Sequence, residues 1–293
     1  MSDQHSRPKF RWHIIVFLAP AVLVYTAVMI YPLFNTLRLS LFTEVDQQRV
    51  FVGLQNFQTL FGETVWSNQF WNALGNNFWF FIIHMLVQNP IGVALAAILS
   101  HPKLRFASFY RSAIFIPTIL SFVIVGFAWK LILGFNGVMN SALLGVGLID
   151  EPLSFLLYNE FAVVLTLAHA WAPFAILPIY VSLQKIDTSL LEAATDLGNN
   201  AFQRFARITL PLTVPGIIAA CLIIFIPTVG DYVTPALVGG SDGKMIANLI
   251  QVQFGAANNW PLGATLSLMA MLSVGFVAMV FVIASNRLGR RIR

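Results

Sequence analysis

The residues of this chain that are best suited to chemistry lie in one polar segment, Leu190 to Gly216, between two apolar stretches. The segment holds two acids, two arginines and a pair of asparagines. Such groups suit hydrogen-bonded contacts with a partner, because burying them unpaired in hydrocarbon is costly. Ser189 and Glu192 have the spacing of a capping box, in which a hydroxyl and a carboxylate each satisfy a free backbone N–H group. A helix is therefore predicted to begin here.

The apolar residues of this helix are spaced to form one stripe. Leu190, Ala194 and Leu197 fall at positions i, i+4 and i+7. Gly198 follows at once, and glycine adopts the left-handed conformation of a helix end without strain. We therefore expect a short helix that stops at Gly198.

A second apolar stripe follows the predicted turn. Phe202, Phe205 and Ile208 are spaced as on one side of a helix, and we expect Pro211 to stop further winding. The local pattern alone is also compatible with a surface helix that lies on lipid headgroups.

The sequence offers little support for nucleotide, metal or catalytic chemistry. Gly239–Met245 approaches a phosphate-binding loop, but Val238 and Met245 stand where that loop needs Gly and Ser or Thr. We predict a turn there. No paired carboxylates at catalytic spacing occur in the apolar stretches. The histidines are too scattered to predict a metal site: His5, His13, His84, His101 and His169.

A few polar and aromatic side chains near the apolar stretches suit a path for a cationic solute. Asp231 and Tyr232 combine a carboxylate with an aromatic ring, and an acid within lipid usually faces a cavity. Trp171 and His169, with Trp129, are further candidates, although helix packing or an interfacial aromatic belt explains them equally. The outer loops are rich in acids: Glu44, Asp46, Glu63, Asp150, Glu151, Glu160 and Asp242. Positive-inside topology alone also accounts for that bias.

Composition places these residues in an integral membrane protein. Of 293 residues, 58% are hydrophobic and 10% are charged, whereas a soluble domain is about 25% charged. A span needs about 20 mostly apolar residues. Six windows qualify, and an all-α protein with six transmembrane helices follows: His13–Phe34, Gly75–Leu99, Arg111–Leu133, Phe161–Leu183, Thr213–Tyr232 and Leu262–Ser285.

The first window is predicted to be a retained anchor helix. Its apolar run is longer than that of a signal peptide, and it lacks a small-x-small cleavage site. Prolines within later windows permit kinks that could relay motion along the helices: Pro173, Pro178, Pro227 and Pro235. The single cysteine, Cys221, excludes an internal disulfide and is predicted to be a packing residue.

Basic residues predict the orientation of the chain. With both termini in the cytoplasm, most of the 17 lysines and arginines lie on that side. The net charge of +5 then reflects topology and requires no nucleic-acid partner. The cytoplasmic residues are Arg7, Lys9, Arg11, Lys103, Arg105, Arg111, Lys185, Arg204, Arg207, Arg287, Arg290, Arg291 and Arg293. The polar segment thereby faces the cytoplasm, between helices four and five.

The spacing within this segment resembles the EAA signature of permease subunits of binding-protein-dependent ABC importers. Glu192-Ala193-Ala194 is followed after three residues by Gly198 and after nine more by Ile208, Leu210 and Pro211. The resemblance implies a type I importer permease, with the whole chain, 1–293, as one transmembrane domain. It also implies that residues 184–212 form a coupling loop that docks on an ATP-hydrolysing subunit. Glu192 would lie at that contact, Ala193 and Ala194 would permit close approach, and Gly198 would set the turn.

The same resemblance implies a set of partners. These are two ATP-binding subunits that hold ATP and Mg, a second permease subunit that is identical or homologous, and a solute-binding protein. The chain itself would carry no cofactor and no catalytic residue, and it would span the bacterial cytoplasmic membrane several times.

Two branches of the family compete for the substrate. Much of Leu177–Met269 resembles spermidine/putrescine permeases, including PLTVPGIIAACLIIFIPTVGDYVTPALVGG and NNWPLGA. The N-terminal half, with FLAPAVLVYTAVMIYPLFNTLRLSLF and FYRSAIFIPTILS, looks more like sugar and glycerol-phosphate permeases. We expect a polyamine, with a carbohydrate or glycerol phosphate as the alternative.

Two other classes of protein remain as alternatives. A secondary transporter would need broken helices in matched repeats and ion-coupled acids or histidines. A membrane enzyme would need a nucleophile, base or metal constellation. Neither alternative accounts for the polar segment.

Overall fold

The computed structural model describes residues 12–46, 48–100 and 104–292. Five of the basic residues that predict the orientation lie outside these ranges, as do two of the histidines: Arg7, Lys9, Arg11, Lys103, Arg293, His5 and His101.

Across the described ranges, five helices are long and apolar enough to span a membrane, and a bent helix pair makes a sixth. The predicted all-α membrane fold is therefore confirmed. The five are Val16–Ser40, Val65–Leu99, Phe122–Gly145, Ala201–Val229 and Trp260–Ile283, and the pair is Glu160–Ala170 with Ala172–Gln184.

The third predicted window is wrong at its start. The chain there forms α5 (Ala107–Ile114) and α6 (Ile116–Ile119), and the span begins only with α7, Phe122–Leu133. Pro117 has no N–H group with which to continue the ladder of α5, so that helix ends. Ser121 is extended, with φ −62° and ψ 140°. The span is completed by α8, Val138–Gly145.

The predicted stop at Pro211 is also wrong. Helix α12 (Ala201–Arg204) runs through a π-helical turn, Phe205–Thr209, into α13, Leu210–Val229. A proline ring clashes with the carbonyl four residues earlier, and a π turn displaces that carbonyl. In the first span, a π turn over Thr26–Ile30 likewise precedes Pro32 and allows the helix to continue through it. Its flanking helices are α1 (Trp12–Tyr25) and α2 (Tyr31–Ser40).

The fourth span is broken, as its prolines permit. Helices α9 (Glu160–Ala170) and α10 (Ala172–Gln184) meet at Trp171 with a bend of 48°. Pro173 stands in the first turn of α10, where its missing N–H is tolerated. The bend therefore coincides with a predicted kink.

The core lies where α4 (Val65–Leu99), α10 and α13 pack together. Gly216 of α13 lets the helices approach closely, since a Cβ there would lie 2.4 Å from Ser182 Oγ and 2.6 Å from the carbonyl oxygen of Pro178. Nearby, the Phe81 and Phe225 rings meet edge to face, with centroids 4.8 Å apart. Cys221 is a buried free thiol in this layer, as predicted.

A small hairpin between the first two spans was not predicted. Strands β1 (Phe42–Val45) and β2 (Gln48–Phe51) pair antiparallel, with Glu44 opposite Arg49. These two side chains form an ion pair at 3.5 Å. Strands of four residues carry too little alternation to be recognised from sequence.

The loop between the last two spans folds back onto the start of α4. Asn77 Oδ1 accepts a hydrogen bond from the backbone N–H of Ile246 at 2.7 Å, and its Nδ2 donates to the carbonyl oxygen of Val229 at 3.2 Å. Asn77 is fully buried. The remaining elements are α3 (Gln55–Phe61), a 3₁₀ turn (Ser154–Leu156), α11 (Thr188–Asp196), α14 (Val233–Val238), α15 (Ile246–Phe254) and α16 (Trp260–Ile292).

Candidate functional site

The polar segment folds into a helix, a tight turn and a second helix. Helix α11 begins after Asp187, whose Oδ1 accepts a hydrogen bond from the backbone N–H of Ser189 at 2.9 Å. This bond lowers the pKa of the Asp187 carboxyl, because it stabilises the ionised form. The predicted capping box of Ser189 and Glu192 is therefore wrong. Asp187 caps the helix two residues earlier, which places Ser189 inside the helix.

The end of α11 lies where the sequence predicts it. Gly198 has φ +80°. Its N–H donates to the carbonyl oxygen of Thr195 at 2.9 Å, and the N–H of Asn199 donates to that of Ala194 at 3.0 Å. This pair of bonds is a Schellman motif, which satisfies carbonyls left free at a helix end. A Cβ at Gly198 would meet no atom within 4 Å, so glycine is needed there for its backbone conformation alone.

The second helix has a capping box of its own. Asn200 Oδ1 accepts from the N–H of Gln203 at 2.9 Å, and Gln203 Oε1 accepts from the N–H of Asn200 at 3.0 Å. Because α12 continues without a break into α13, the turn connects α11 directly to the fifth span.

Two arginines tie the helices together across the turn. Arg204 donates a hydrogen bond to Thr195 Oγ1, and Arg207 Nη1 donates to Asn199 Oδ1 at 3.2 Å. We call these four residues the arginine clamp. From the sequence the two arginines were expected only to set the topology, and this role was not predicted. The sequence does contain a signal for this role, because both arginines follow the Gly198 turn within the first turns of the next helix.

The predicted apolar stripe of α11 is only partly correct. Ala194 is buried, at 5% exposure, but Leu190 is 47% exposed and Leu197 is 84% exposed. Leu197 is the residue that caps the C-terminus of the helix, so its side chain projects beyond the last turn. On the second helix Phe202 is 76% exposed. Glu192 is exposed as well, on a side of α11 different from that of Leu190 and Leu197.

The residues predicted for a solute path are not brought into one cluster. Asp231 accepts hydrogen bonds from the N–H groups of Val233 and Thr234 at 2.8 and 3.0 Å, and from Thr234 Oγ1 at 2.6 Å. Its carboxylate therefore caps α14. Tyr232 is half exposed, and its carbonyl oxygen accepts from Asn248 Nδ2 at 2.8 Å.

The two other candidates lie at the end of α9 and at its junction with α10. Trp171 is buried and packs against Phe122, with ring centroids 4.6 Å apart. His169 is exposed, and its ring meets that of Trp129 edge to face at 5.5 Å. Within the described ranges, no hydrogen bond or ring contact links either residue to Asp231.

A cleft on the opposite side of the fold was not predicted as a site. Its volume is about 840 Å³, and it lies between the first turns of α4, the start of α9 and the segment from α14 to α15. Its wall includes Trp66, Glu160, Asp242 and Gln253. The former phosphate-loop candidate, Gly239–Met245, forms a turn at its edge, as predicted. In the part of the chain that the structure describes, no group of histidine, cysteine or acidic side chains could hold a metal ion.

Comparison with known proteins agrees with this architecture. The family described as "Binding-protein-dependent transport system inner membrane component" matches residues 88–293. The chain is 34% identical over 245 residues to a spermidine/putrescine transport system permease protein, PotB, of Haemophilus influenzae, and the match covers 82% of each chain. It is 32% identical over 206 residues to a lactose transport system permease protein, LacF, of Rhizobium radiobacter, covering 69% of this chain and 68% of that one.

Solved structures share the fold. A bacterial ABC transporter for import of the acidic polysaccharide alginate matches with a TM-score of 0.72 at 21% identity, covering 96% of both chains. The MetNI methionine ABC transporter matches with a TM-score of 0.51, covering 76% of this chain. With the family match over more than half of its length, the chain belongs to the inner membrane components of binding-protein-dependent transport systems, the permease subunits of ABC importers.

Proposed function

We propose that this permease subunit passes the motion of an ATP-hydrolysing partner to the transport path through α11. The observation that carries this proposal is the arginine clamp: Arg204 and Arg207 fix α11 to a helix that continues as the fifth span. A rigid connection transmits displacement, whereas a loose linker absorbs it. The exposed apolar side chains of Leu197 and Phe202 are suited to docking, because apolar area removed from water contributes about 25 cal/mol per Å².

Each residue of the signature has a role in this proposal. Glu192 makes the charged contact with the ATPase subunit, and the small side chains of Ala193 and Ala194 permit close approach. Gly198 permits the turn that reverses the chain between α11 and α12. Ile208 lies in the π-helical turn, and Leu210 and Pro211 begin α13 directly after it.

The proposed assembly places nucleotide chemistry outside this chain. Two partner subunits bind ATP and Mg, a second permease subunit completes the path, and a solute-binding protein delivers the solute. The chain lies in the bacterial inner membrane with both termini in the cytoplasm. Cysteines placed at Asp150 and Asn200 test this orientation: the first should react with an impermeant maleimide from outside and the second only from inside. Equal labelling from one side would contradict it.

We propose a linear polyamine as the solute. The support is the similarity to a spermidine/putrescine permease over 82% of both chains. Asp231, Tyr232, Trp171 and His169 are proposed to line the path, with the Asp231 carboxylate both capping α14 and attracting the cation. Uptake of radiolabelled spermidine by proteoliposomes that contain the full importer and its binding protein tests the proposal. ATP-dependent spermidine uptake is expected.

A sugar is the second candidate. The similarity to a lactose permease favours it, at 32% identity over 69% of this chain. ATP-dependent uptake of a disaccharide, without uptake of spermidine or putrescine, would replace the polyamine assignment.

A further inference from the structure

Two polar side chains without partners are buried within the second span. His84 and Gln88 lie on α4 and are 0% and 3% exposed. Among the described residues, neither ring nitrogen of His84 and neither amide atom of Gln88 has a hydrogen-bond partner. Buried polar groups in proteins are usually paired with other protein groups or with ordered water, because an unpaired group is costly. The two side chains therefore require a ligand.

His84 and Gln88 cannot satisfy each other. They are four residues apart and so lie on one face of α4. A neutral imidazole has one donor and one acceptor, and an amide has both kinds of atom. A single hydrogen bond between the two side chains would occupy one atom of each and leave the other two unpaired. Burial alone does not produce this state, since fully buried Asn77 of the same helix has both amide atoms bonded.

The pair is level with the bend of the fourth span. A Cβ at Gly92 would lie 3.3 Å from Ile179 Cδ1 and 3.9 Å from the Cβ of Ala175, which places α4 against α10 at this point. The second and fourth spans cross the membrane in the same direction, because one span separates them. Four residues earlier on each helix, Gln88 is level with Trp171, where α9 and α10 meet. Trp171 Nε1 is likewise buried without a partner.

The polar atoms at this level fit water. Both side chains are enclosed by the bundle, so the ligand must be small. A buried water makes about three hydrogen bonds to otherwise unsatisfied groups, and it both donates and accepts. A metal ion would serve only the acceptors and leave the N–H groups unpaired. Ordered water also satisfies backbone groups that a proline frees in a spanning helix, and Pro173 stands in the first turn of α10.

We propose that His84 and Gln88 bind ordered water inside the bundle, beside the bend of the fourth span, and that this water lets the bend angle change during transport. Only residues 185–187 separate the end of α10 from α11, so a displacement of α11 reaches α10. Water can exchange hydrogen bonds as α10 swings against α9, and no polar group is then left unpaired. The water site stands by itself, whereas its hinge role rests on the proposed coupling through α11.

X-ray footprinting of the purified importer in nanodiscs tests the water site. A short X-ray pulse converts bound water to hydroxyl radicals, which oxidise the adjacent side chains, and mass spectrometry identifies the oxidised residues. We expect oxidation of His84 and Trp171 in the wild type in spite of their burial. Phe225, which is fully buried among aromatic rings, is the internal control and should remain unmodified.

The variant Gln88→Leu removes the amide and keeps a side chain of similar size. Oxidation of His84 should fall about fivefold or more, because the water loses one of its few partners. Met85→Leu is the matched control, since it changes a buried residue of the same helix and retains both polar side chains. Its His84 should be oxidised as in the wild type.

The hinge role is tested with the same variant. The thermal midpoint of Gln88→Leu should not fall, because an apolar side chain replaces an unpaired polar one. ATP hydrolysis stimulated by the spermidine-loaded binding protein should fall about fivefold, since the bend then lacks its water. A lower midpoint together with lower hydrolysis would assign Gln88 to stability and overturn the hinge role.

Unmodified His84 in the wild type would overturn the water site, as would equal oxidation of His84 in Gln88→Leu. Reduced oxidation with wild-type stimulated hydrolysis would overturn the hinge role alone. Footprinting is carried out without nucleotide or binding protein, so its result does not depend on the proposed coupling. A failure of that coupling is seen separately, as wild-type hydrolysis in Gly198→Val.

Discussion

Arg207 donates a hydrogen bond from Nη1 to Oδ1 of Asn199, 3.2 Å away, across the turn that reverses the chain between α11 and α12. Arg204 makes the parallel bond to Thr195. The two side chains connect the end of α11 and its turn to the helix that continues as the fifth span, and the proposed coupling requires that the two helices move together.

Removing the clamp should uncouple transport from ATP hydrolysis. A charge-assisted hydrogen bond at an exposed site contributes about 1 kcal/mol. In the double variant Arg204→Gln, Arg207→Gln, we expect transport-coupled ATP hydrolysis to fall about fivefold or more. Lys185→Gln removes a basic residue of the same loop outside the clamp and serves as the control. Equal hydrolysis in the wild type, the double variant and Lys185→Gln would show that the clamp does not contribute to coupling.

The cap of α11 should make this helix sensitive to acid. Because its hydrogen bond to Ser189 depresses the pKa of Asp187, the cap is complete above the ordinary aspartate pKa of about 3.9. Its contribution is lost as the pH falls through the lower, folded-state pKa. The protection of the α11 amides, measured relative to their intrinsic exchange rate at each pH, should therefore fall in acid in the wild type. Asp187→Asn retains the acceptor but does not titrate, so its exchange should lack this step. The same acid step in Asp187→Asn would assign the effect to another group.

The close approach of α10 and α13 should depend on Gly216. A Cβ at this position would lie 2.6 Å from a backbone carbonyl oxygen, which cannot rotate away. Gly216→Ala should therefore destabilise the fold by about 1–3 kcal/mol, the usual cost of overpacking. Thermal unfolding in detergent measures this. Gly275→Ala, where a Cβ meets no atom within 4 Å, is the matched control. An unchanged midpoint for Gly216→Ala would mean that the helices are farther apart than the structure has them.

The charge of Asp231 can be separated from its capping role. Asp231→Asn retains an oxygen that accepts from the N–H groups of Val233 and Thr234 but loses the negative charge. If the charge attracts a polycation, spermidine uptake should fall about tenfold while assembly with the ATPase subunits stays normal. Asp231→Ala, which loses both, should also destabilise α14. Normal uptake by Asp231→Asn would restrict this residue to capping.

The sequence was sufficient to predict a structural feature where a single residue or the local composition determines that feature. The apolar windows located the spans, and Gly198 marked a helix end because no other residue adopts φ +80° as easily. It was insufficient where two local signals compete. Asp187 caps α11 ahead of Ser189, and the π turn before Pro211 allows a helix that the proline alone would have stopped.

Features that depend on long-range approach could not be predicted. The cleft between the first turns of α4, the start of α9 and the α14–α15 segment depends on the bond from Asn76 to the carbonyl oxygen of Asp242. These residues are 166 positions apart, and no local pattern connects them. The arginine clamp depends on the angle of the turn, which places side chains from two helices within hydrogen-bond distance. Leu197 is exposed because it lies just beyond the last residue of α11. The sequence does not define the end of the helix to one residue, so this exposure could not be predicted.

The most direct test of the coupling role compares two variants of Gly198. Valine is strained at φ +80°, at a cost of about 1–3 kcal/mol, whereas asparagine tolerates the left-handed conformation. Neither side chain meets a neighbour at its Cβ, so the backbone alone distinguishes them. The measurement is ATP hydrolysis stimulated by the loaded binding protein in proteoliposomes that contain equal amounts of each complex.

We expect Gly198→Asn to retain most of the stimulated hydrolysis. In Gly198→Val the stimulated hydrolysis should fall about tenfold or more, because strain of this size disfavours the turn that presents α11. Insertion of the chain into the membrane and solute capture by the binding protein should be unchanged in both. Wild-type stimulation in Gly198→Val at normal expression would contradict the account, since α11 would then be only a surface helix.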